Sequence, residues 1–304
     1  MATAAAPPRP ALRRRPRSRL DHQVLRRAVQ VGVAAIVAAV ALERAAAGRG
    51  VATPEALCPF GGLETAFRLV TGTGYVPHVH ASNVVLGIGV LVLALLARSA
   101  FCGWLCPLGF LQDLVSGASR LVQRKVLPVR LGVRWLKAHA RPLAVLDRPL
   151  RLLKYAVLAW AVGGAALWGV MVFRDVDPWF ALLELFRLTV IPAVLVLVVI
   201  LVAALFVDRP WCRYACPLGA ASGLVSAFSP VRIERVADAC TSCGICTRAC
   251  PMGLPVATAN RIVSPDCNAC LECLAACPQA GALELRAGLP VLPFVRIPLT
   301  PKEA

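Results

Sequence analysis

The chain has no Gly-rich phosphate loop, no G-x-G-x-x-G and no Ser/His/Asp constellation, which leaves nucleotide binding through those motifs and triad hydrolysis without support. It holds only four His (His22, His78, His80 and His139), and no pair of them lies in an apolar stretch where a transmembrane haem would need axial ligands. Charge is also scarce: charged residues are 16% of the 304, with 16 acidic against 33 basic. That scarcity, with a mean hydropathy of +0.70, excludes an ordinary soluble domain and points to a membrane protein with a small soluble attachment.

Four apolar stretches are candidate spans: 28–42, extendable to Ala47 past Glu43; 84–97, extendable to Trp104; 155–173; and 188–207. The last two are long enough to cross a bilayer unaided, while the first two are short and rich in Ala and Gly. The expected architecture is an all-α membrane bundle of four transmembrane helices over residues 24–228, behind a basic leader of residues 1–23.

Orientation follows from the basic residues, because short loops rich in Arg and Lys resist translocation. The leader and the segment between spans two and three carry most of them, including Arg13, Arg14, Arg15, Arg124, Lys125 and Arg134, whereas the other two loops are balanced or slightly acidic. Both termini are therefore expected in the cytoplasm of a multi-pass protein of a bacterial inner membrane. The net charge of +17 reads as topology signal and affinity for anionic headgroups, not as nucleic-acid binding, since the charges abut spans and lack interleaved aromatics. A cleavable signal peptide ending at Ala45-Ala46-Ala47 is the competing reading of the first span. Against it, the apolar core ends in Glu43-Arg44, and an internal repeat needs this helix as a partner.

The thirteen Cys are not arranged for disulfides; nearly all fall on the predicted reducing side in metal-type spacings. Cys240, Cys243, Cys246 and Cys250-Pro251 form C-x-x-C-x-x-C-x-x-x-C-P, and Cys267, Cys270, Cys273 and Cys277-Pro278 repeat it. This is the spacing of bacterial two-cluster ferredoxins, in which the fourth Cys of each run reaches the other cluster. One cubane is expected on Cys240, Cys243, Cys246 and Cys277, the other on Cys267, Cys270, Cys273 and Cys250. Zinc fits less well, because two identical four-Cys runs each ending in Pro exceed what a zinc ribbon needs. Residues 236–286 should form a C-terminal α+β two-cluster ferredoxin-like domain, followed by a tail, 287–304.

The chain also repeats itself upstream. Phe101-Cys102-Gly103-Trp104-Leu105-Cys106-Pro107-Leu108-Gly109 recurs 110 positions later as Trp211-Cys212-Arg213-Tyr214-Ala215-Cys216-Pro217-Leu218-Gly219. A weaker echo relates Cys58-Pro59-Phe60 and Leu63-Glu64 to Asp177-Pro178-Trp179 and Leu183-Glu184. The membrane domain is therefore expected to be a duplicated helix hairpin, with halves at about 24–120 and 150–228. Both C-x-x-x-C-P motifs follow an outward-to-inward span, so both should lie at the inner surface. At four-residue spacing the two Cys share a helix face, and Pro suits the first turn of the next helix. Cys102, Cys106, Cys212 and Cys216 could thus converge as a tetrahedral soft-metal or iron–sulfur site; packing as small buried residues is the alternative. The stretch 58–70 is too short to cross and reads as a re-entrant or interfacial helix, with Cys58 a candidate ligand or a packing residue. His78 and His80 could meet a metal or a quinone carbonyl, although loop histidines are commonly solvated.

With these motifs in place, the chain resembles the NapH/NosR-like family of polytopic membrane 4Fe-4S proteins over roughly residues 25–285. The resemblance implies an electron-transfer module between the quinone pool and a redox partner, with cytoplasmic tail clusters. Related members act in metal-centre assembly, including copper reduction. The chain departs from NosR-type proteins in having short outer loops in place of a flavin-binding domain, and it lacks the added C-terminal domain of oxidase-assembly members. The expected function is membrane-bound electron transfer through two 4Fe-4S clusters and the C-x-x-x-C-P site, possible also as a quinol dehydrogenase subunit. The rival is metal-centre assembly or regulation.

Overall fold

A computed structural model describes residues 21–47, 58–70, 81–125, 130–184, 190–288 and 295–296. His78 and His80, and the leader arginines up to Arg19, lie outside the described residues. The chain starts with α1 (Asp21–Ala47), α2 (Pro59–Val70) and α3 (Ala81–Ala97). A π-helical turn over Phe101–Leu105 leads into α4 (Pro107–Lys125), followed by α5 (Arg130–Trp168), α6 (Pro178–Leu183) and α7 (Ile191–Ala203). Two short helices, α8 (Pro210–Tyr214) and α9 (Pro217–Ser226), complete the helical part.

Among the described residues, two helices are long and apolar enough to cross a membrane, α1 over His22–Ala46 and α5 over Pro149–Trp168; Ser82–Ala97 and Ile191–Ala203 are shorter apolar helices. Their apolar side chains point outward: Ile36, Val85, Ile191 and Val199 are each more than half exposed. Water would oppose such a surface and lipid would accept it. The fourth expected span is shorter than its apolar run. Its helix covers 13 residues, and the chain turns through Arg209, which sits in the left-handed region at φ 51°. The third ends at Trp168, where Gly169 takes φ 72°, so Val170–Phe173 lie beyond the helix. In the other direction α5 begins at Arg130, well before the apolar stretch, carrying much of the basic segment as helix.

Helix α2 lies against the start of α3 at a distance only glycine permits. A Cβ on Gly62 would stand 1.8 Å from the Asn83 carbonyl oxygen. Asn83 in turn donates to the Cys58 carbonyl at 2.9 Å, so the short helix is tied to the bundle and not left in solvent.

The C-terminal part is a four-stranded antiparallel sheet, β1 (Val231–Arg235), β2 (Arg261–Ile262), β3 (Leu283–Ala287) and β4 (Val295–Arg296), in the order β2-β1-β3-β4. Ile233 pairs with Ile262 on one side and Leu285 on the other. The sheet thus starts before residue 236 and takes its last strand from the stretch beyond 287. Each cysteine run contributes one short helix, α10 (Ile245–Ala249) and α11 (Glu272–Ala276). The runs repeat in backbone as well as in sequence: Ser242 and Ala269, and likewise Gly244 and Leu271, take positive φ at matching positions.

Candidate iron–sulfur sites

In the tail, Cys250, Cys267, Cys270 and Cys273 line one cavity with Met252, Leu254 and Val256. The other four are also neighbours, since Cys277 feels the charges of Cys246, Cys243 and Cys240. The chain therefore crosses over between the runs, each fourth Cys joining the opposite set. Burial pushes the Cys270 thiol up to about 12, even though Arg26 and Arg209 pull it down. A thiolate at that place needs a cationic group to hold it ionised. Cys243, in contrast, is exposed, and the backbone N–H of Ile245 holds its thiol below the ordinary range.

The two C-x-x-x-C-P motifs differ locally. Cys102 lies in the π-helical turn and Cys212 in α8, so the first pair does not occupy one α-helical face as expected. Cys106 and Cys216 are alike, extended at ψ 113° and 112°, with Pro107 and Pro217 opening α4 and α9. The copies then come together. All four cysteines line a single cavity of about 830 Å³, open solvent included. Gln112 donates to Cys212 Sγ at 3.6 Å, while Ser222 meets Cys102 Sγ at 3.9 Å. Gln112 and Ser222 stand 110 positions apart, the repeat spacing, so each copy reaches the first cysteine of the other. Gly219 N–H donates to Cys216 Sγ at 3.3 Å. Donors aimed at sulfur are what tunes and retains iron–sulfur ligands.

Among the described residues no three His, Cys, Asp or Glu side chains converge closely enough to hold one metal ion. Each thiolate of a cubane binds a different iron, so cluster ligands stand farther apart than ligands of a single ion. The donor set suits a cluster-sized group in both regions.

The soluble part is seated on these motifs. Arg26 of α1, fully buried, donates to the Gly103 carbonyl at 2.9 Å, to Glu272 at 2.6 Å and to Asp113 at 2.9 Å. Asp113 also receives Arg209 at 2.6 Å, and Arg209 donates to the Cys102 carbonyl at 2.8 Å. Asp266, next to Cys267, pairs with Lys154 and with Arg151, the latter at 2.9 Å. A Cβ on Gly103 would fall 2.2 Å from the Asn268 carbonyl oxygen. The loop carrying Cys267 and Cys270 is therefore packed against the first motif. Motif reading missed Arg26, Gln112, Lys154, Arg209 and Asp266; the 110-residue register pairing Gln112 with Ser222 was the one signal available.

Cys58 is buried and lines the same cavity as the four. It precedes α2 as Asp177 precedes α6, and the two repeat-related residues meet, Cys58 Sγ donating to Asp177 at 3.7 Å. Both line the same cavity, on walls built by Phe60, Phe173, Trp179 and Trp211.

Sequence comparison agrees with this organisation. A family profile described as "4Fe-4S binding domain" matches residues 79–127 and 189–235, and one described as "4Fe-4S dicluster domain" matches 232–278. The Escherichia coli protein named "Putative electron transport protein YccM" is 35% identical over 75% of this chain and 62% of its own length. The ferredoxin-type protein NapH of Haemophilus influenzae is 28% identical over 66% of this chain and 68% of its own. The protein MJ0750 of Methanocaldococcus jannaschii is 31% identical over 73% and 84%. This chain thus spans less than two thirds of the Escherichia coli relative. No solved structure matches it. Cysteine geometry and profiles define a protein built to bind 4Fe-4S clusters. The chain belongs to the NapH/NosR-like family of ferredoxin-type proteins.

Proposed function

We propose that the protein is a membrane-embedded module passing electrons between the quinone pool and a redox partner, through two tail clusters and a third centre shared by the two C-x-x-x-C-P motifs. One observation carries the reading: Cys102, Cys106, Cys212 and Cys216 line a single cavity whose wall also includes Pro265, Asp266 and Asn268 of the tail. Clusters bound at these places supply one-electron transfer. Cys240, Cys243, Cys246 and Cys277 would hold the outermost, and the exposed Cys243 makes that end the port for a partner protein. Cys267, Cys270, Cys273 and Cys250 would hold the middle one, against the membrane part.

The chain's own residues fix the distances. Arg26, Arg209 and Asp113 tie α1, both motifs and the tail into one buried charge network, and an electron path depends on such rigid spacing. Four spans with both termini in the cytoplasm fit the same contacts. The start of α1 touches the tail, Gln23 donating to the Cys270 carbonyl at 2.8 Å, while Arg44 near its other end pairs with Glu184 at 2.6 Å. These buried contacts also favour α1 as a permanent helix over a removed signal.

The test is anaerobic purification of the full chain, with iron and acid-labile sulfide assayed and quinol reduction followed by EPR. Stoichiometric zinc without iron would reject the reading.

A further inference from the structure

Helices α2 and α6 hold corresponding places in the repeat and share a plan. Each opens on a proline, behind a residue that lines the cavity, Cys58 or Asp177, and reaches a Leu-Glu pair one to two turns later, Leu63-Glu64 or Leu183-Glu184. The two glutamates differ in what neutralises them. Glu184 is bonded by Arg44 at 2.6 Å. Glu64 is fully buried, and neither of its carboxylate oxygens has a hydrogen-bond partner among the described residues.

The elements packed on α2 offer it no counter-charge among the described residues. From α3 comes Asn83, which donates to the Cys58 carbonyl; α5 brings Val157, Leu158 and Ala161 to the cluster around Cys58 and Phe60, and α9 brings Leu218. Of the cations flanking α6, Arg44 is held by Glu184 and Arg174 lies over the Phe180 ring at 4.9 Å. The charged group acting on Glu64 is Asp177, whose two oxygens accept from the Trp179 backbone N–H at 3.0 Å and from Cys58 Sγ at 3.7 Å. A carboxylate buried without a cation is costly, and such a group takes up a proton instead. Burial, with the negative charge of Asp177 adding to it, pushes the Glu64 carboxyl up to about 8. Ionisable groups kept inside membrane domains characteristically serve proton or ion pathways.

We propose that Glu64 is a redox-linked proton site, one that binds its proton more tightly when the four-cysteine centre is reduced and exchanges it with water on the outer side. The inference rests on the electron-transfer reading. Asp177 supplies the link, because it lines the cavity that Cys102, Cys106, Cys212 and Cys216 also line. The centre gains one electron from the tail clusters as the Glu64 carboxylate gains one proton from water, forming an O–H bond; oxidation reverses both. Negative charge arriving in a poorly solvated region is thereby offset within the protein.

The test uses the full chain in detergent under anoxic conditions. Dicyclohexylcarbodiimide, an apolar reagent for protonated carboxyls, is expected to label Glu64 at about pH 7 and less at about pH 10, as read by peptide mass spectrometry. A water-soluble carbodiimide should leave this buried group unlabelled. Glu64→Gln, which copies the shape of the neutral acid, should keep its iron and take no label at that position. The second readout is the midpoint potential of the four-cysteine centre, followed by EPR. In wild type it should fall as pH rises from about 7 to 10; Glu64→Gln should flatten that slope and Glu64→Asp should restore it. Absence of label, the result for a carboxylate matched by Arg68 four positions along the chain, overturns the site, and so does an equal slope in wild type and Glu64→Gln. The two readings fail differently. Normal iron and EPR signals without label or slope reject this inference alone, and a missing four-cysteine signal rejects the electron-transfer reading beneath it.

Discussion

The indole N–H of Trp104, inside the first C-x-x-x-C-P motif, donates to the carbonyl oxygen of Ala269 at 3.0 Å. That bond joins the membrane motif to the middle of the second ferredoxin run, between Cys267 and Cys270. The adjoining Gly103 has room for no side chain against Asn268. Gly103→Ala is therefore expected to push the loop off the motif, costing about 1–3 kcal/mol as other overpacked contacts do. The thermal midpoint of the purified protein should fall and the magnetic coupling between centres seen by EPR should weaken. An unchanged spectrum and midpoint would show that the two parts do not touch there.

Iron content checks the shared centre. Wild-type protein should carry about twelve iron and twelve sulfide if three four-iron cubes are present. Cys106→Ser and Cys216→Ser should each lower the count to about eight, and the double variant should not lower it further, since ligands of one centre act as a unit. A wild-type count of about eight, unaffected by either change, would return these cysteines to packing.

Asp147 provides a pH test. Burial alone would raise its carboxyl, but hydrogen bonds from Tyr214 at 2.6 Å and Arg151 at 2.8 Å, with Arg213, hold it below the usual carboxylate range. A carboxyl lowered in the folded state stabilises above its unfolded value of about 3.9 and loses that contribution as pH falls through the folded one. Asp147→Asn should thus melt below wild type by an amount that stays level from pH 8 to about 5 and narrows below about 4. The group is partly exposed, so the gap should correspond to about 1 kcal/mol or less. A gap that widened toward acid would contradict the sign.

Membrane topology is checked by reporter fusions. Those after residues 50 and 180 should read periplasmic, those after 130 and 300 cytoplasmic. A periplasmic reading at 300 would overturn both the four-span count and the side on which the tail lies.

The Arg44–Glu184 pair separates the integral-helix reading of α1 from the signal-peptide one. Both side chains are nearly buried and bonded at 2.6 Å. Glu184→Leu should lower the thermal midpoint, and the double change with Arg44→Leu should recover part of the loss. If the mature protein lacked α1, Arg44→Leu would neither alter its melting nor rescue Glu184→Leu.

Local chemistry was legible in the residue string because its causes act over a few positions. Two-residue gaps between thiols, Pro after the last Cys, a run of apolar side chains and the 110-residue echo can all be read without knowing what lies nearby. Helix ends were less legible: the left-handed turns at Arg98 and Arg209 fall on ordinary residues that carry no turn signature. What only the tertiary structure decided is which distant groups meet. Cys102 finds Ser222, Cys212 finds Gln112, and Arg26 finds Asp113 and Glu272. Cys58 meets its own repeat partner Asp177. Such pairings depend on how helices pack and where a buried charge can be satisfied, and chain spacing carries no record of either.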